Sequence, residues 1–167
     1  MRVKFILILV LIAFCISCKK DKKPAIIEVT VTLQNQTILS DATVLILSNQ
    51  HKIISDYVAT GKSGANGKVD FSVTSGQTYY LYYDGANQRS INNQEATFIT
   101  IGTFTSQQQI DSSPPQPGST VIGGPIYQDI NGDGIINNYD KVLKVTAPAS
   151  GGKASTSIEL FSNNPPA

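Results

Sequence analysis

Short segments rich in β-branched residues recur along this chain at intervals of about 8–12 residues, with turn residues between them and no helical period anywhere. That spacing constrains the fold more than any other feature. A period of two puts alternate side chains on one face, and several such half-apolar strips bury their faces only by stacking sheet on sheet. Ile26–Leu33, Ala42–Ser48, Ile53–Thr60, Lys68–Thr74, Thr78–Tyr83 and Ala96–Phe104 read as strands, with Gln107–Ile110 as a short further one. Val69, Phe71 and Val73 share one face of their strand, as do Val44 and Ile46. Asn66-Gly67 and Ser75-Gly76 supply turns where strands must reverse. Charged residues make up only 15% of the chain, which favours strands and turns over long solvated helices. The expected fold is all-β: an antiparallel sandwich, with a small C-terminal β segment built around a loop.

The first residues do not belong to that fold. Met1–Lys4 is basic, and Phe5–Ile16 is an apolar run too short to span a bilayer as a helix. Cys15-Ile-Ser-Cys18 follows, and then Lys19-Lys-Asp-Lys-Lys23. This order resembles the signal peptide of bacterial lipoproteins. The resemblance implies cleavage before Cys18, lipidation of its thiol and a membrane partner. Lys19 after the cysteine, by the same resemblance, implies the outer membrane, facing either the periplasm or the surface. Without Arg2 and Lys4 the 13 basic residues become 11, against 12 acidic ones, and no basic footprint for nucleic acid appears. No cysteine follows Cys18, so disulfide and cysteine-rich zinc readings are excluded for the folded part.

The expected organisation is a leader over 1–17, a tether over 18–24, a sandwich over 25–111, a Pro/Ser linker over 112–120 and a strand–loop–strand unit over 121–164. The last unit holds few large apolar residues and needs a staple or a docking surface. Residues 26–84 resemble carboxypeptidase regulatory-like domains of bacteria. That likeness is carried by Val29–Leu33, Ile38–Leu47, Ser63–Phe71 and Gly76–Tyr79. It implies an Ig-like or transthyretin-like sandwich.

Asp129-Ile-Asn-Gly-Asp-Gly-Ile-Ile-Asn-Asn-Tyr-Asp140 carries the strongest chemical signal. Counted from Asp129, side-chain oxygens fall at positions 1, 3, 5, 9 and 12: Asp129, Asn131, Asp133, Asn137 and Asp140. Gly134 stands at position 6, where the loop must turn sharply, and Ile135 at position 7 offers its carbonyl. This is the spacing with which a loop wraps a hard cation that takes six to eight oxygens, and it points to one structural Ca2+ of about 10⁻⁵–10⁻³ M affinity. A hairpin turn at Asn131–Gly134 is the simpler alternative, but it needs no oxygens at 129, 137 and 140. With Asp rather than Glu at position 12, the loop resembles a single dockerin repeat. Lys141 stands where an apolar residue is usual.

Other signals are weaker. Thr60-Gly-Lys-Ser63 lacks the first glycine of a phosphate loop, since position 56 is Asp. His51 is the only histidine, so histidine-based triads lack parts. On the strand Thr78–Tyr83, Leu81 marks the core face with Tyr79 and Tyr83, which leaves Tyr80 and Tyr82 outward. They could stack on a glycan, or simply pack across strands. The acids are scattered, and no acid–base–nucleophile set is recognisable. The sequence therefore points to a non-catalytic envelope module whose partner is a glycan or an envelope protein. A carbohydrate-binding accessory is the alternative, and a hydrolase the lesser one.

Overall fold

The structure is a computed structural model and describes residues 23–48, 53–85, 91, 96–118 and 120–161. Two sheets face each other, and a third layer lies over the second sheet. β1 (Ala25–Leu33) is flanked by β4 (Lys68–Val73) and β10 (Lys153–Leu160) in a three-stranded sheet. β2 (Thr43–Ser48), β3 (Ala59–Lys62), β5 (Thr78–Tyr83), β6 (Ala96–Thr97) and β9 (Val142–Thr146) form the second sheet, in the order β3-β2-β5-β9-β6. β7 (Thr100–Thr103) and β8 (Pro125–Tyr127) make a separate two-stranded ribbon. The all-β sandwich expected from strand spacing is the fold observed.

Alternation builds the space between the sheets. Along β1, Ala25, Ile27, Val29 and Val31 are fully buried, while the residues between them are half-buried. They meet Val44, Ile46, Phe71, Val73, Tyr79, Leu81, Leu143, Ile158 and Leu160 in one continuous core. At the far end of β4, Gly67 has φ of +72°, and a Cβ there would meet Ile38 Cγ2 at 2.7 Å, so the expected Asn66-Gly67 turn admits glycine on two counts.

Several expectations need correction. The sandwich is not wholly antiparallel: β1 and β10 run parallel, from Ile26 opposite Lys153 to Leu33 opposite Leu160. The first and last described strands are thus neighbours. On their outer face Glu28 accepts from Lys153 Nζ at 2.7 Å and Lys68 Nζ at 3.1 Å, tying β1 to both flanking strands. Of the unit expected over 121–164, the described residues 121–161 do not stand apart. β9 is inserted between β5 and β6, and β10 completes the first sheet. Nor is 112–120 a free linker where it is described. Gln116 bonds both ways with β8, donating to the Pro125 carbonyl (2.8 Å) and accepting from the Tyr127 amide, and the Ile136 amide donates to the Pro115 carbonyl.

Local corrections have local causes. The strand expected over 53–60 begins instead as a 3-10 turn, Ile54–Asp56, and pairs only from Ala59. The strand expected over 96–104 divides between the second sheet and the ribbon. Gln107–Ile110 is no strand. α1 (Gln107–Asp111) is a single helical turn with Ser106 as its cap: Ser106 Oγ accepts from the Gln109 amide, and Gln109 Oε1 accepts from the Thr105 amide at 2.8 Å.

Candidate metal centre

The Asp129–Asp140 loop joins the ribbon strand β8 to β9 and lies over the outer face of the second sheet. Two isoleucines fasten it. Ile130 is 1% exposed, in a second apolar cluster with Leu45, Leu47, Tyr82, Ile99 and Val142. Ile136 is buried as well, whereas Ile135 is half exposed. Because β2 carries this cluster on one face and the main core on the other, Val44–Leu47 reads as an unbroken apolar run.

The polar residues turn back on the loop's own main chain. Asp129 Oδ1 accepts from the Gly132 amide at 2.7 Å and Oδ2 from the Gly134 amide at 2.9 Å. Asn131 Oδ1 accepts from the Asp133 amide, and Asp133 Oδ1 from the Ile135 amide. Gly132 and Gly134 take φ of +75° and +82°, the left-handed values that let these turns follow one another. Asn137 caps a 3-10 turn, Asn138–Asp140, with its Oδ1 accepting from the Tyr139 amide.

Asp140 is fully buried and closes the loop. Its Oδ1 accepts from the amides of Ile130 (2.8 Å) and Asn131 (3.3 Å), and its Oδ2 from that of Asn137 (2.8 Å). One carboxylate therefore clasps both ends of the loop. Burial pushes the Asp140 carboxyl above the usual carboxylate range, against the pull of those three amides, and the nearby Asp129 adds to the rise. Tyr82 lies under this group. Burial raises its hydroxyl pKa, and the negative charges of Asp140, Asp84, Asp133 and Asp129 raise it further. Lys141 supplies cover where an apolar residue is usual. Its Nζ sits 5.3 Å from the centroid of the Phe98 ring, which in turn packs tilted on Tyr127 at 4.9 Å, and burial lowers its pKa.

Among the described residues, no three side chains of His, Cys, Asp or Glu gather as a metal cluster. Asp129, Asp133 and Asp140 are thus not a ready-made three-carboxylate site. The donor set still fits a hard cation in kind. A carboxylate has about four acceptor sites, and Asp129 spends two on backbone amides while Asp140 spends three. The Asn131 and Asn137 side chains and the Ile135 carbonyl would add further oxygens, so the candidate donors are all oxygen in kind.

The outward placement of Tyr82 is corrected. Tyr82 is 8% exposed and belongs to the cluster under the loop, with half-buried Tyr80 packed against it. The assumption of a bare outer sheet face failed because residues 96–140 cover it. The Asp140 clasp went unread, although Asn137-x-x-Asp140 has the spacing of a capping box, and Ile130 was not singled out as an anchor. Cys18 and His51 lie outside the described residues. Among the described residues no helix is long and apolar enough to cross a membrane, which says nothing of strands.

No protein-family model matches this sequence, and neither does any curated protein. Among solved structures, the chain is similar to BcpA, the major pilin subunit of Bacillus cereus (16% identity, 84% of this chain and 31% of that one, TM-score 0.42). It is also similar to GBS52, the minor pilin of Streptococcus agalactiae (8% identity, 87% and 47%, TM-score 0.41). The T6 backbone pilin of Streptococcus pyogenes gives 13% identity, 83% and 34%, and a TM-score of 0.41. The chain spans less than half the length of each. Likeness this loose carries no functional argument, and the sandwich rests on the sheets described above.

Proposed function

We propose that this chain is a non-catalytic β-sandwich module of the cell envelope, tethered through lipid on Cys18, whose Asp129–Asp140 loop takes one calcium ion as a structural staple. The observation that carries the metal reading is the closed loop. A buried carboxylate clasps Ile130, Asn131 and Asn137, and the oxygens of Asp129, Asn131 and Asp133 are preset by backbone bonds. When bound, the ion would offset the mutual repulsion of the loop's three aspartates. Asp129, Asn131, Asp133, Asn137, Asp140 and the Ile135 carbonyl would hold it, in the manner of the dockerin-type loop that the segment resembles.

The non-catalytic reading draws on where the acids are spent. Glu28 and Asp70 pair with lysines on the outer sheet face, Asp41 pairs with Lys62, and the loop aspartates hold backbone amides. The glycan alternative loses its platform with the burial of Tyr82.

Calorimetric titration of calcium into the chain lacking residues 1–18 tests the staple. One-site binding is expected, lost in Asp129→Ala/Asp133→Ala. The chain has no tryptophan, so the change in tyrosine emission that is lost in Tyr82→Phe reports the residue under the loop on the same samples. At a calcium level of 100 times Kd the fold should gain about 2.7 kcal/mol. No heat and no shift in melting at millimolar calcium would reduce the loop to a turn.

A further inference from the structure

The tether leaves the sandwich at one pole, and that pole carries an open apolar groove. Lys23 is fixed there: its carbonyl accepts from Ser150 Oγ at 2.7 Å and from the Gly151 amide at 3.2 Å. Beside it lies a groove of about 350 Å³, lined by Lys23, Pro24, Val58, Ser72, Thr74 and Ser75 among others. Val58 is 52% exposed, and the adjacent Tyr57 is 47% exposed. Among the described residues, Lys23 is the only charged one in the lining. β1 sets the direction of the molecule from this point. Ala25 pairs with Val73 at the groove, and Thr30 pairs with Lys68 toward the Gly64–Gly67 turn at the other pole.

Chain length restricts what the groove can face. Cys18 precedes Lys23 by five residues, and five residues reach at most about 18 Å when fully extended. β1 alone, at nine residues, is about 26 Å long. A lipid on Cys18 therefore keeps the groove pole within a short reach of the bilayer, while the opposite pole lies a full strand beyond. Tyrosine and lysine are also residue types that settle at a membrane interface, the ring at the level of the headgroups and the ammonium toward anionic ones. Lys19, Lys20 and Lys22 precede it in the sequence between Cys18 and Lys23.

We infer that the pole bearing Lys23, Pro24, Tyr57 and Val58 is a lipid-facing surface that seats the sandwich upright on the membrane holding its anchor. The inference rests on the lipid-anchor reading of Cys18. Tethering supplies a high effective concentration, so a contact too weak to bind vesicles alone suffices to fix orientation.

The test uses the full chain, processed so that Cys18 is lipidated. With that thiol blocked and Cys15 cleaved off, one introduced cysteine is the only reactive one. Thr74→Cys labels the groove pole, and Ala65→Cys labels the opposite one. Each is tagged with a small fluorophore and reconstituted in phosphatidylethanolamine–phosphatidylglycerol vesicles containing a lipid with a nitroxide headgroup. Flotation with the vesicles reads the anchor, and quenching of the floated protein reads the orientation. Loss of emission at position 74 with emission retained at position 65 supports the proposal. Equal quenching at both positions in floated protein overturns it and leaves the anchor standing. Failure to float overturns the anchor and the orientation together. Adding Val58→Asp to the position 74 sample should restore emission without loss of flotation. Unchanged quenching there would overturn a direct role for the groove.

Discussion

The space between the two sheets and the layer over the second sheet are both apolar and both closed to water, yet they are held by different means. Between the sheets, β1, β4 and β10 present one buried face each, and backbone ladders complete the construction. Over the second sheet, residues 96–118 and 120–140 supply Ile99 and Ile130 to the second apolar cluster, bury Phe104 and Ile136 besides, and hold much of the rest by side chains bonded to nearby main chain. The first region depends on volume, so it should fail through cavities. The second depends on single polar groups, so it should fail locally when one acceptor is removed.

The largest effect should come from the first region. Ile46→Ala, at a fully buried site, is expected to cost about 2–5 kcal/mol by denaturant melting and to lower the whole transition. Asp140→Ala should cost about 3 kcal/mol, because three amides lose their acceptor in a buried site. Its mark should be local: hydrogen exchange at Ile130 and Asn137 should quicken before that of β1. If Asp140→Ala instead loosened both regions equally, the contrast between them would be lost. Ser106→Ala, which removes the α1 cap, should cost about 1 kcal/mol with no change in β1 exchange.

The smallest effect separates the regions by pH. Lys153 and then Lys68 pull the Glu28 carboxyl down from 4.5 to about 2. A folded pKa below the unfolded one contributes stability that is present above about pH 4.5 and is lost as the pH falls toward 2. This pair network is solvent-accessible on its lysine side, so the contribution should be small and weakened by salt. Acid titration of Glu28→Gln should show a shallower loss over that window, and an identical curve would remove the network from the account.

The same contrast explains what could be read in advance. A period of two is written directly in Ile27, Val29, Val31 and in Phe71, Val73, so the main core was legible. The oxygen spacing from Asp129 to Asp140 is a sequence property as well, since it consists of fixed offsets along the chain. The covering layer was not. Tyr82 looks outward by alternation on β5, and only the arrival of Ile130 and Val142 from 50 or so residues away buries it, a tertiary override of local pattern. β9 was overlooked because Val142–Thr146 is short and follows the loop directly, and β10 gives no sign in its own sequence that its partner is parallel.

That parallel pairing has a mechanical meaning. Lys23 enters β1 at one pole, and Phe161 leaves β10 at the other. Tension between those two points would load the β1–β10 ladder along its length, so the register from Ile26–Lys153 to Leu33–Leu160 would share the force in shear instead of opening one bond at a time. The first and last strands act as a lap joint, and a pull on the chain meets that joint before it meets the core.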